Sequence, residues 1–419
     1  MQKIPRSKKH SKNAIILSIS KGFERAAYYG ARAALVLYLV GETINLSNSE
    51  ALSIYGTYTM GVLISGFIGA VLGDLLLGNK KSILIGGVLS SLACLFLCVE
   101  SLQWIKIGLV LMALGTGFFS SNIVARFGKE YVDKKELLDA GFSIYYSAVN
   151  IGTLVGILAI GYLCDYNFKY GMLLAMTFIL ISTFLLYLVK KQPLDLISNT
   201  FQKHVGFSQY KYIIIIVLLV GCFWAIYELS YYGVIEIQQR IGDAYVNEVP
   251  NTLLVSSSLS SSLSILTLIV FAFLWSRYYG NQFLKLFLGL FLFGMALFIL
   301  SKIPLDLGEG GVALFVLVIV LMSIGESLIT PLISSITVKY ANPKYLTIVL
   351  LLTTIPSLGF NKIAGMLAEK SVDYSLNTML VYSACVLVFL SLIGYFFFRK
   401  LKKEEGLFLS KEAKEFLDS

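Results

Sequence analysis

The sequence predicts an all-α membrane protein in which twelve transmembrane helices form two six-helix bundles. Three observations carry that prediction: an unusually apolar composition, a series of long apolar runs, and a charge bias between alternate connections. Of the 419 residues, 57% are hydrophobic and 14% carry a charge; mean hydropathy is +0.78. Soluble domains carry about 25% charged residues, so the surface of a water-borne globule of this size would go undersolvated. A bilayer removes that need by acting as the solvent for the outer surface.

The apolar runs fall at 14–40, 50–76, 82–101, 104–129, 139–163, 170–190, 211–236, 251–275, 283–301, 312–340, 345–368 and 376–398. A run of about 18 residues or more is long enough to cross the hydrocarbon core. Lipid offers backbone groups no partner, so each run is read as a helix, closing its hydrogen bonds internally. Continuous apolarity, without period-two alternation, excludes a barrel. The first run follows a basic stretch and is not followed by a small-residue cleavage site, so no cleaved signal peptide is expected.

Loop charge tests the count. With the N-terminus cytoplasmic, the inner segments collect the stretch Lys3–Lys12, Lys80, Lys81, Arg126, Lys129, Lys134, Lys135, Lys190, Lys191, Lys203, Lys211, Arg277, Lys285, Lys339, Lys344 and the tail from Arg399. The outer connections hold only Lys106, Lys169, Arg240, Lys302 and Lys370. This positive-inside bias predicts a multi-pass protein of the cell (inner) membrane with both termini cytoplasmic. The net charge of +9 then follows from topology and requires no nucleic-acid partner.

The longest inner connection, 191–210, divides the chain into a first bundle (1–190), a linker (191–210), a second bundle (211–400) and a cytoplasmic tail (401–419). The tail from Lys402 reads as a short charged helix outside the membrane. The halves echo each other: Glu24 precedes Tyr28-Tyr29-Gly30, Glu228 precedes Tyr231-Tyr232-Gly233, and Gly78-Asn79 returns as Gly280-Asn281. The nearly constant offset points to parallel six-helix repeats.

Ionisable groups inside a transmembrane helix are costly and mark function by default. The first helix holds four: Lys21, Glu24, Arg25 and Arg32. At about 100° per residue they share one face with Tyr28, which must point into a cavity or a partner helix. The second half supplies acids, Glu228 in the seventh run and Glu326 in the tenth, the latter just before Thr330-Pro331. Trp224, one turn before Glu228, lies on the same face. Arginine forks hold a carboxylate and glutamate takes an ammonium, so such a cavity suits a zwitterion. Gly69–Lys81 reads GAVLGDLLLGNKK; Asp74 before a tight turn and two lysines resembles the loop signature of major facilitator transporters and predicts a gating or bracing pair. The serine run Ser256–Ser264 is read as close helix packing.

The residues Phe23-Glu24-Arg25-Ala-Ala-Tyr28-Tyr29-Gly30-Ala-Arg32 resemble the ExxERFxYYG motif of the proton-dependent oligopeptide transporters of the major facilitator superfamily. Similar matches are Gly115-Thr-Gly117 with Asn122, Phe142–Tyr146 with Asn150-Ile-Gly152, Phe223-Trp224-Ala-Ile-Tyr-Glu228, Ile324-Gly325-Glu326 and Asn361–Gly365. The resemblance implies the major facilitator fold and a symporter of di- and tripeptides or peptide-like solutes working by alternating access. It implies that Arg25 and Arg32, helped by Tyr28 and Tyr29, meet the peptide carboxylate, that Glu326 holds its amino terminus, and that Asn150, Trp224 and Glu228 line the site. Glu24 would belong to the proton-responsive network. The linker leaves no room for the extra helical hairpin of many bacterial members.

Two departures bear on coupling. Lys21 stands where the family motif has its first glutamate, and Ser120 where the fourth helix has a lysine. The paired loss suggests that Lys21 supplies the missing cation while Glu24 neutralises it, with proton coupling altered or lost. Leu63 replaces a second-helix tyrosine. A carrier of a non-peptide organic anion is the alternative; a non-transporting receptor or scaffold is a further one. No nucleophile–base pair, metal cluster or nucleotide loop marks an enzyme, and no cofactor is expected beyond the proton as a coupling ion. The expected partners are a small-molecule substrate, a short peptide above all, and membrane lipid, with the protein a monomer. The five cysteines read as apolar fillers, and both histidines lie outside the apolar runs.

Overall fold

The computed structural model describes residues 2–5, 8–190, 210–244, 252–303, 309–354 and 376–417. The first half holds α1 (Lys12–Val40), α2 (Asn48–Leu72), α3 (Asn79–Leu97), α4 (Leu102–Lys129), α5 (Leu138–Tyr166) and α6 (Phe168–Leu188). The second holds α7 (Tyr210–Ala244), α8 (Thr252–Arg277), α9 (Gln282–Leu300), α10 (Glu309–Tyr340), α11 (Leu346–Leu352) and α12 (Leu376–Leu417). Two-residue strands β1 (Gln2–Lys3) and β2 (Tyr278–Tyr279) pair antiparallel. The linker before Tyr210 lies outside the described residues, as does the eleventh run beyond Thr354.

Among the described residues, nine helices are long and apolar enough to cross a membrane. The charged residues that interrupt α1 keep it off that count, while the described apolar stretches of the eighth and eleventh helices are shorter, Ser262–Arg277 and Pro343–Leu352. At the C-terminus the sequence suggests a separate short helix from Lys402. Instead α12 runs unbroken from Leu376 to Leu417. The Lys, Glu and Leu residues that dominate its last turns are all strong helix formers, so nothing there forces a break.

Local signals set the helix ends. Ser11 caps α1 by accepting from the Ala14 N–H, and Ser47 with Glu50 closes a capping box on α2. Past Leu72 the chain widens into a π-helical turn, Gly73–Leu77, which carries Asp74. Gly78, at φ 80°, then turns it into α3.

α1 packs against α5 and α6. A Cβ on Gly152 would run into the Gly22 carbonyl, and one on Gly156 into that of Ala26. Only glycine allows backbones so close in lipid, where van der Waals contact drives helix association. Each half has its own core, around Leu35, Leu39 and Met112 in the first and Phe223, Phe293 and Leu297 in the second. Large apolar side chains such as Ile64, Phe184, Tyr187 and Phe389 face outward, as the lipid-facing surface of a membrane bundle requires.

The halves meet through α5 against α8 and α10, and through α11 against α2 and α4. A third apolar cluster unites them, with Leu17, Phe127 and Phe142 packed alongside Ile213, Val338 and Leu346. It lies at the end that carries the N-terminus and most of the loop cations, here termed the basic end.

Candidate functional site

The charged face of α1 folds into a compact clasp with α4. Glu24 receives Lys21 Nζ at 2.8 Å on Oε2. Arg25 embraces the same carboxylate through Nε at 2.8 Å and Nη2 at 2.7 Å. Ser120 accepts from Lys21 Nζ at 2.8 Å and from Arg25 Nη2 at 2.7 Å, and donates to Glu24 Oε1 at 3.3 Å. Side-chain exposure is 6% for Lys21 and 4% for Glu24. Burial on this scale is tolerable because every charge is both paired and hydrogen-bonded.

Further along the same face, the Arg25 guanidinium lies 4.4 Å from the Tyr28 ring centroid and 5.5 Å from that of Tyr29. Arg32, half-buried, donates through Nε to the Tyr55 hydroxyl and sits 5.3 Å from its ring. Buried Tyr58 lies within electrostatic reach of Tyr28, Arg25 and Arg32. The face is thus a row of cations lined by tyrosines, a setting that favours cation–π contact. The opposite face of α1 borders an apolar groove of 370 Å³ with Ile151, Val155 and Phe178.

In the second half, the Tyr227 phenol lies beside the Glu326 carboxylate. Its ring lies 5.2 Å from Trp224 and 5.7 Å from Phe293. Glu228 is exposed, and Trp224 is partly buried. Asn150 is half-buried on α5, one turn beyond Tyr146, whose hydroxyl meets Ser334 of α10 at 3.0 Å. Of the serine run, Ser264 is buried and its carbonyl lies 3.5 Å from the Ser327 hydroxyl of α10. The side chains of 256–261, like residues 361–365, lie outside the described residues.

Asp74 accepts from the Thr347 hydroxyl at 2.6 Å and the Ile348 N–H at 3.0 Å, at the start of α11. Lys129 Nζ is 3.9 Å away. The close partners are therefore across the halves, rather than in the Lys80-Lys81 pair next along the chain. Asn79 extends the contact, donating to Asn122 and to Thr347, each at 2.8 Å.

A second carboxylate at this end has no counterpart in the sequence reading. Asp139, at the start of α5, accepts from Lys285 Nζ at 2.5 Å, Gln282 Nε2 at 2.5 Å and Ser335 Oγ at 2.6 Å. Lys285 also lies 3.7 Å from the Trp275 ring centroid. Asp139 falls in an ordinary helix-opening position, where acids are common, so nothing local singles it out. Tyr55, Tyr58 and Tyr227 are equally silent; each is one tyrosine among 25. Among the described residues, no group of three or more His, Cys, Asp or Glu is placed to hold a metal ion.

The profile of the Major Facilitator Superfamily matches residues 17–355. The chain belongs to that superfamily. Dipeptide and tripeptide permease A of Pectobacterium carotovorum subsp. carotovorum (strain PC1) is 32% identical over 141 residues, 33% of this chain and 27% of the permease. The uncharacterized transporter YclF of Bacillus subtilis (strain 168) is 30% identical over 196 residues, 45% of this chain and 40% of that one. The matches therefore span well under two thirds of these relatives. Solved structures extend the likeness of fold over more than nine tenths of the chain. A POT family transporter in complex with 5-aminolevulinic acid has a TM-score of 0.63 at 20% identity, covering 95% of this chain and 98% of that one. Another, with a thioalcohol-conjugated peptide, gives 0.62 at 20% identity, covering 92% and 96%. These similarities bear out the resemblance to oligopeptide transporters drawn from the motifs above. Superfamily and fold are those of multi-pass membrane transporters.

Proposed function

We propose that the protein is a secondary active transporter of di- and tripeptides or peptide-like solutes, working by alternating access with proton coupling altered or lost. The observation that carries this reading is the pairing of two unlike walls. The first half presents Arg25 and Arg32 among tyrosines; the second presents Glu326 and Glu228 beside Trp224. Transporters of this architecture bind near the midplane between the repeats, where a cationic wall takes a carboxylate and an acidic wall an ammonium. The similar dipeptide and tripeptide permease and the neighbour bound to a conjugated peptide support the same substrate class.

Lys21 carries the coupling part of the proposal. Both Glu24 oxygens already hold cationic donors from Lys21 and Arg25, so a tethered ammonium stands in for a proton on this carboxylate. If protons do couple, Glu228 or Glu326 carries them. On this reading no cofactor is needed, the protein works as a monomer in the inner membrane, and both termini are cytoplasmic, as the loop charges direct.

Uptake of labelled dialanine into proteoliposomes tests this, with and without an inward proton gradient. We expect equilibrative uptake indifferent to the gradient, and at least a tenfold loss of apparent affinity in Arg32→Ala and in Glu326→Gln, about 1.4 kcal/mol. Uphill uptake that requires the gradient overturns the loss of coupling and leaves Glu228 or Glu326 as the proton carrier. A carrier of an organic anion is the second reading, favoured by the excess of Lys21, Arg25 and Arg32 over Glu24 on α1. It wins if carboxylates without an amine give an Arg32-dependent thermal shift and dialanine gives none.

A further inference from the structure

The segment before α1 crosses from one half to the other. On the second half, β1 pairs with β2, Gln2 opposite Tyr279 and Lys3 opposite Tyr278. The Ile4 N–H extends that ladder to the Arg277 carbonyl at 2.9 Å. The Ile4 side chain, 6% exposed, enters the apolar cluster shared by both halves. On the first half, Lys8 pairs with Glu136, Ser11 donates to Glu130 at 3.0 Å, and Lys134 Nζ donates to the Lys9 carbonyl at 3.1 Å. His10 touches both halves, with Nδ1 2.8 Å from the Tyr131 hydroxyl and Nε2 3.0 Å from Ser276 Oγ.

Every polar contact between the halves described here lies toward this basic end: Asp74 with α11, Asp139 with α9 and α10, Tyr146 with Ser334, and the segment itself. The halves cannot part there while the segment holds both. We propose that residues 2–5 and 8–11 form a strap that latches the basic end shut and must release β2 and Ser276 before that end opens. The first-half anchors are the permanent mooring, because they join the strap to the loop between α4 and α5, next to the helix it leads into. The second-half anchors are the releasable side: two strand residues, one further backbone bond, one apolar side chain and one imidazole contact. A two-residue ladder is too short to be stable alone, which suits a contact that must break in each cycle.

The test uses spin labels at Asp133→Cys and Lys344→Cys, both exposed sites at the basic end, in the full chain with its native cysteines replaced. Distances are read by pulsed electron resonance in lipid nanodiscs. Deleting residues 2–9 keeps the Ser11 cap and all of α1, so the bundle can still form. We expect the long-distance population to rise at least fivefold in the deletion and in Ile4→Asp, which puts a charge into the apolar cluster. Lys8→Gln, which loosens only the mooring, should change it less than twofold. Unchanged distances in both the deletion and Ile4→Asp overturn the strap, as does an equal rise in Lys8→Gln. The readout needs no substrate, so failure of the proposed peptide specificity leaves it intact.

Discussion

Two buried charge networks do opposite jobs. The clasp of Lys21, Glu24, Arg25 and Ser120 lies wholly within the first half, whereas the Asp139 network joins α5 of the first half to Lys285, Gln282 and Ser335 of the second. A network inside one half can survive a rocking motion of the two halves. A network between them has to be broken and remade. The same chemistry therefore stabilises a fold in one place and a single conformation in the other.

Breaking the clasp should give the largest effect. Glu24→Gln leaves Lys21 and Arg25 buried side by side without their carboxylate, and removing one partner of a buried pair costs about 3–5 kcal/mol. We expect a steep loss of thermal stability in detergent. Lys21→Met should cost less, because Arg25 still holds both Glu24 oxygens. Equal losses in the two variants would show that the clasp is not organised around Glu24.

Asp139→Asn should leave overall stability less affected and shift conformation instead. It strands Lys285 between the halves in this state, but opening returns that lysine to water. The spin-label distances should move toward the open population by at least tenfold, about 1.4 kcal/mol. Asp74→Asn should do less, since its close partners, the Thr347 hydroxyl and the Ile348 N–H, are neutral; the amide oxygen can still accept from Ile348 while the amide NH2 donates to the Thr347 hydroxyl. A larger shift from Asp74→Asn would reverse this ranking of the two contacts.

The same division explains what the sequence made legible. Helix number and the split into halves follow from apolar length and loop charge, which act along the chain. Lys21, Glu24, Arg25 and Arg32 stand out because a charge inside an apolar run is conspicuous wherever it folds. Asp139 and Lys285 lie at helix ends, where charge is ordinary, and become a pair only when α5 and α9 meet. Tyr227 sits inside a motif read for its neighbours, Trp224 and Glu228, while the group that reaches Glu326 is the tyrosine between them. Polar residues at helix ends and aromatic residues in apolar runs have no sequence signal for a partner that is distant in the chain.

The smallest expected effect belongs to the strap and depends on pH. Burial, and next the nearby Lys134 ammonium, hold the His10 pKa below its ordinary value of 6.5. The imidazole faces Tyr131 and Lys134 from the loop between α4 and α5 and Ser276 from α8, with Arg277 following on that helix. Lys8 and Lys9 flank it on the strap, and Glu136 and Glu130 are occupied by Lys8 and by Ser11 and Arg126. The attached strap therefore binds fewer protons than the detached one. Above the ordinary pKa both forms are neutral and attachment is insensitive to pH. Below it, protonation favours release, so the open population should grow a few-fold from pH 7 to pH 5.5. His10→Gln should flatten the response, because glutamine can bond to the same hydroxyls but takes up no proton. A wild-type chain with no response, or an equal response in His10→Gln, would remove the imidazole from the latch and leave the backbone ladder and Ile4 as its releasable parts.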